Sequence, residues 1–227
     1  MPELDEYFAE EYFHVYNRGV EKRNIFMEEK DYLRFVEGLR EFNTTEASHL
    51  REIRESRRRL SQGEALGASK ASPWGVPRVN SPIVEILSWC LMPNHFHLIL
   101  KPLAKGGLTS FMRKLATGYS MYFNKKYERT GTLLQGPFKS KEIDTQESLL
   151  YVSAYIHLNP VTAGICQKPE DYCWSSYHDF ISEETTLMLK VIPDFTGISA
   201  DNYRSYVVGL QESRTFYKED SLLIDGE

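Results

Sequence analysis

Residues 83–100, IVEILSWCLMPNHFHLIL, constrain this chain more than any other stretch. Two apolar runs of strand length flank Met92-Pro93-Asn94. An X-Pro-Asn cluster between β-rich runs is a turn signal, so the segment predicts a β-hairpin buried on at least one face. The rest of the chain supplies partners for it. Tyr12 to Tyr16 reads as an aromatic and β-branched strand, closed by the turn signal Asn17-Arg18-Gly19. A helix near 28–43 carries Tyr32, Phe35, Val36, Leu39 and Phe42 at the spacing of one buried stripe. A longer helix, Leu108 to Arg129, does the same with Leu108, Phe111, Leu115, Tyr119, Tyr122 and Phe123.

A short strand is expected near 133–143, and then a helix from about Thr145 to Leu158. Asp144 is its expected N-cap with Glu147 three residues on, and Pro160 its expected stop. The order β, α, β, β, α, β, α is that of an α+β fold, a ferredoxin-like split βαβ antiparallel sheet with one added C-terminal helix. Residues 44–82 interrupt it. They combine an arginine-rich stretch with a Ser/Gly/Ala/Pro-rich one and read as a flexible basic insertion. The expected organisation is one domain over 1–180 with that insertion, followed by an acidic extension over 181–227 with a small helix near 200–212. The 227 residues suffice for a core without disulfides, and three widely spaced cysteines fit neither a disulfide framework nor a zinc knuckle. No apolar run approaches the roughly 20 residues of a membrane helix, and no signal-peptide core is present; the expected location is cytoplasmic, with no membrane partner.

The net charge of −5 hides a polarity. Residues 101–141 hold nine basic groups and one acid, whereas the first 13 residues hold five acids and no base. Such segregation predicts a basic face on an acidic body, a surface suited to a phosphate backbone, although a solvated lysine-rich helix has the same composition. Arg113, Lys114, Lys125 and Lys126 are its candidate contacts.

The chemistry-bearing residues cluster in two places. His95 and His97 are two apart on a strand, so both imidazoles point to one face and Phe96 to the other. That is half a metal site, or a chance pair. Tyr155 and Asn159 are four apart on a helix, hence on one face and about 6 Å apart along the axis. If that face meets the hairpin, the Asn159 amide oxygen supplies a third, harder ligand and the Tyr155 hydroxyl lies one turn away. Two nitrogens, one oxygen and open positions suit Mg²⁺ or Mn²⁺ when phosphate oxygens complete the shell. On spacing alone Asn159 also fits a C-cap before proline, and Tyr155 a half-buried aromatic. His14, His157 and His178 receive no chemical role.

Met92-Pro93-Asn94-His95-Phe96-His97, followed by Tyr155-Ile156-His157-Leu158-Asn159-Pro160-Val161, resembles the single-tyrosine HUH transposases (IS200-like), and most of all their REP-associated tyrosine transposase branch. Tyr16 to Gly19, Gly131 to Lys139 with Gln135 and Phe138, and Trp174 to Tyr177 extend the resemblance over about residues 12–180. It implies His95, His97 and Asn159 as metal ligands and Tyr155 as the nucleophile. The implied substrate is single-stranded DNA beside a hairpin, cut through a 5′-phosphotyrosine intermediate and rejoined by reversal. It also implies Arg18, Gln135 and Lys139 near the DNA, and a monomer or homodimer. A phenol with a pKa near 10 is a poor nucleophile at neutral pH, which agrees with a need for a metal. The long 44–82 stretch and the acidic tail depart from the family pattern. Competing readings are a catalytically retired or host-domesticated hairpin-binding protein, a replication or plasmid-transfer nickase, and a hydrolytic zinc enzyme. The first is opposed by intact His95, His97 and Tyr155, the second by the lack of room for a helicase, and the third by the lack of a third histidine ligand.

Overall fold

The computed structural model describes residues 11–44, 82–181 and 198–213. The 44–82 insertion, apart from its first and last residues, lies outside them, as does most of the acidic tail. The elements are β1 (Tyr12–Arg18), α1 (Glu29–Glu41), β2 (Val84–Met92), β3 (His95–Pro102), α2 (Gly107–Lys126), β4 (Lys139–Ile143), α3 (Gln146–Thr162), α4 (Tyr177–Ile181) and α5 (Ala200–Glu212). The sheet order is β2-β3-β1-β4, with β1 and β4 antiparallel in the register Tyr12 to Ile143 and Tyr16 to Lys139. Together with the element order this is the expected α+β, ferredoxin-like arrangement. The hairpin turns through Pro93 and Asn94 alone, because β2 ends at Met92 and β3 begins at His95.

The chain divides into two compact units. Among the described residues, one unit comprises 11, 17–44, 82–85 and 101–138; the other comprises 12–16, 86–100, 139–181 and 198–213. In the first, α1 packs on α2. Close approach requires glycine here: a Cβ on Gly118 would stand 2.4 Å from the Phe42 ring. Phe26, Phe35 and Tyr119 fill the space between, with Phe35 and Tyr119 edge to face at 5.1 Å. Asp31 is fully buried and accepts from Tyr122 (2.9 Å), Tyr127 (2.6 Å), the Met27 amide (2.8 Å) and the Lys126 ammonium (2.5 Å). Burial alone would raise its pKa; those donors outweigh it and hold the carboxyl below its usual value. Asn43 fixes the start of β2, accepting from the amides of Ile83 and Val84 at 2.9 Å each.

In the second unit the outer edge of β2 is covered by residues 174–176, through Leu91 N to Trp174 O and Ser176 N to Trp89 O, both 2.9 Å. The core gathers Leu87, Ile99, Ile156, Leu158, Tyr177, Phe180 and Tyr203. Tyr203 brings α5, the helix expected near 200–212, into this core.

Three local expectations need correction. Thr145, not Asp144, caps α3, accepting from Ser148 N at 3.1 Å. Pro160 does not end the helix, which continues to Thr162. The stop is Gly164 at φ +70°, with Gly164 N bonded to Val161 O and Ile165 N to Pro160 O at 2.9 Å, a Schellman-type ending. Proline near a C-terminus forfeits one amide bond and only biases its predecessor, so a glycine that closes the last carbonyls decides the end. The fourth strand starts at Lys139 rather than near 133, because Gly136 (φ +73°) and Pro137 break it. Residues 133–135 instead bond to 18–20, with Val20 N to Leu133 O at 2.9 Å and Gln135 N to Arg18 O at 2.8 Å.

Candidate metal and nucleophile site

The strand alternation of β3 puts Phe96 in the core and turns His95 and His97 to the other side, with ring centroids 5.0 Å apart at 88°. The two differ in burial. His95 is partly exposed, whereas His97 is 1% exposed and so belongs to the interior. Nδ1 of His95 lies 2.5 Å from Asn94 Oδ1, and Nδ1 of His97 lies 2.9 Å from Nε2 of His14 on the neighbouring strand β1. With Nδ1 engaged in both rings, Nε2 is the nitrogen through which either would bind a metal. Burial first, then the rings of His95 and His14, push His97 well below the usual histidine range. Burial, then Lys141, lowers His14 to about 3. Both are neutral imidazoles at pH 7, the form that can ligate.

α3 brings Tyr155 to the pair: its ring stands edge-on to His97 at 6.1 Å. Asn159 follows one turn along the same helix. Its Nδ2 is buried with no hydrogen-bond partner. A half-turn of the amide exchanges that nitrogen for Oδ1 at little steric cost and presents an acceptor in its place. A buried amide with an unmet valence, one turn along the helix from the tyrosine that meets His97, fits a divalent ion. Among the described residues no three His, Cys, Asp or Glu side chains converge on a metal position, so an oxygen from Asn159 or from a substrate would have to complete the shell.

Two residues that the sequence left without a role stand at this site. His14 stacks on His97 at 5.1 Å and 17°, and Tyr16 stacks on His14 at 5.0 Å and on His97 at 5.8 Å. Alternation along β1 does put residues 14 and 16 on one face; what was missing was the adjacency of β1 and β3. Lys139, a predicted DNA contact, holds its ammonium 5.8 Å from the Tyr16 ring centroid and so joins the same stack. A pocket of about 530 Å³ adjoins His14 and is lined also by Lys141, Asp144, Glu147, Tyr151 and Tyr206.

The other predicted contacts lie in the first unit. Arg18 Nε donates to Gln135 Oε1 at 2.5 Å, so those two meet. Arg113 and Lys125 are exposed. Lys114 donates to the Thr44 carbonyl at 2.6 Å, and Lys126 is committed to Asp31 and Glu28. His157 is bonded to Tyr203 Oη (2.7 Å), Ser176 Oγ (2.9 Å) and Ser88 Oγ (3.1 Å).

Residues 78–159, which include the histidine pair, Tyr155 and Asn159, match the family described as "Transposase IS200 like". The solved structure of the REP-associated tyrosine transposase bound to a REP hairpin is similar with a TM-score of 0.48 and 18% identity, over 81% of this chain and 87% of that one. No curated protein matches the chain. Among the described residues no helix is long and apolar enough to cross a membrane.

Proposed function

With residues 78–159 as an IS200-like transposase segment for the premise, we propose that this chain is a metal-dependent single-stranded DNA endonuclease and strand-transferase that works through Tyr155. The observation that carries the reading is the convergence, inside that segment, of His95 and His97, whose ring centroids are 5.0 Å apart, with a tyrosine ring 6.1 Å from His97. His95 and His97, through Nε2, and Asn159, through its amide oxygen, would hold Mg²⁺ or Mn²⁺. When bound, the ion supplies Lewis-acid polarisation of a non-bridging phosphate oxygen. Tyr155 Oη attacks the phosphorus; the new O–P bond forms as the P–O3′ bond breaks, and the phenolic proton is passed on as the 3′-oxygen is protonated. The result is a 5′-phosphotyrosine and a free 3′-OH, with the bond energy conserved, so that attack by another 3′-OH reverses the step and joins new ends. Lys139, beside Tyr16 at the site, and the exposed Arg113 and Lys125 supply cationic contacts for the backbone. The sequence resemblance supports hairpin-flanked single strands as substrate.

The test is incubation with 5′- and 3′-labelled single-stranded hairpins in Mn²⁺. The expected products are a denaturation-stable protein–DNA adduct carrying the 5′ end and a free 3′-OH fragment, both lost in EDTA and in His95→Ala. Binding without any adduct would instead favour a retired hairpin-binding protein.

A further inference from the structure

The two histidines of the site are held in the same way, each through Nδ1, His95 by Asn94 and His97 by His14. For His95 the partner is the Asn94 amide oxygen, which only accepts, so Nδ1 donates. For His97 the partner is a second imidazole, and either ring can donate. Only one direction is compatible with ligation. If His14 donated, His97 would carry its proton on Nε2 and present an N–H where a lone pair is needed. We propose that His14 is a positioning residue for His97: its Nε2 accepts the Nδ1 proton of His97 and so locks that ring in the tautomer whose Nε2 can bind a divalent ion. This rests on the reading of His95 and His97 as ligands.

The surroundings are built for such a lock. His14 and His97 are both 1% exposed, so water does not compete for the bond. They lie nearly parallel at 17°, and Tyr16 stacks on both, which restrains rotation of either ring. A metal-bound imidazole commonly donates its other N–H to an acceptor that orients it. A carboxylate in this interior would bring a buried charge, whereas a neutral imidazole orients without one. His14 is not itself a ligand in this scheme, since its Nε2 is occupied by His97.

Long-range ¹H–¹⁵N NMR of the metal-free protein reads the tautomer directly, with the His97 signals assigned by their loss in His97→Ala. Wild type should show His97 protonated at Nδ1; protonation at Nε2 would overturn the proposal without any mutant. His14→Phe keeps a ring but no acceptor, and should weaken Mn²⁺ binding by about 10- to 100-fold. His14→Gln returns an acceptor near the Nε2 position and should restore affinity to within a few-fold of wild type. A folded His14→Phe with wild-type Mn²⁺ affinity, or a folded His14→Gln as weak as His14→Phe, would overturn the role of His14 alone. Wild type that binds no Mn²⁺ would overturn the ligand reading beneath it.

Discussion

His97 and His157 occupy the same unit, and both are buried to within 1% of complete exclusion from solvent. Both are pushed down in pKa chiefly by that burial, His157 to about 3. Their partners differ in kind. Around His157 three hydroxyls, from Ser88, Ser176 and Tyr203, serve both ring nitrogens. Around His97 the partner is another imidazole, the neighbours are aromatic faces, and on the adjoining helix the Asn159 amide has a buried donor with nothing to donate to. Burial and a shifted pKa are common to both clusters and so do not distinguish structure from function. The kind of partner does: hydroxyls bond both nitrogens of His157, whereas Nδ1 of His97 bonds a second imidazole beside a helix whose Asn159 amide nitrogen is unbonded.

The largest expected effect breaks the chemistry and spares the fold. Tyr155→Phe should lower cleavage by on the order of 10³-fold or more and abolish the covalent adduct, with hairpin binding near wild type. Tyr151→Phe, which alters a wall of the neighbouring pocket, should retain activity. Mass spectrometry of a trapped adduct that carried the phosphotyrosine at residue 151 would reverse this assignment.

Next in size is the His157 cluster. His157→Phe should strand the hydroxyls of Tyr203, Ser88 and Ser176 and cost about 3 kcal/mol in denaturant unfolding. The surviving folded protein should still bind Mn²⁺. A loss of metal binding with unchanged stability would invert the comparison.

The Asp31 cluster extends the same logic to the first unit. Asp31→Asn should cost about 3 kcal/mol by removing the charge that Lys126 and two tyrosines surround. Since the folded carboxyl titrates below its unfolded value, the stabilisation it gives is present above a pH of about 4 and is lost as pH falls through the folded pKa. The gap in stability between wild type and Asp31→Asn should therefore close in acid; a gap that held constant down to pH 2 would mean that charge plays no part.

The smallest effect separates two adjacent lysines. Lys125→Ala, at an exposed position, should reduce the log–log salt slope of single-strand binding by about 0.7 and leave the melting temperature unchanged. Lys126→Ala should do the reverse and act through stability, because that ammonium is already held by Asp31 and Glu28. Equal slopes and equal melting temperatures for the two variants would erase the distinction between free and committed charge.

By itself the sequence determined what is periodic or local. The hairpin at residues 83–100, the buried stripes Phe35-Val36-Leu39 and Leu108 to Phe123, the element order, and the common face of His95 and His97 all follow from spacings of 2 and 3.6 residues, which neighbours along the chain impose. The same rules misplaced the ends of α3 and the start of β4, where proline, glycine and capping residues compete within a few positions. Only the tertiary structure decided which distant groups share an environment. The sheet order puts β1 beside β3, so His14, 83 residues from His97, becomes its hydrogen-bond partner. Ion pairing withdraws Lys126 from the basic surface, and Tyr203 carries a tail helix into the core. The physical reason is one of range: periodicity is settled by backbone geometry within a turn or two, whereas the partner of a buried polar group is settled by which strands pair and which helices pack, and no local pattern encodes that choice.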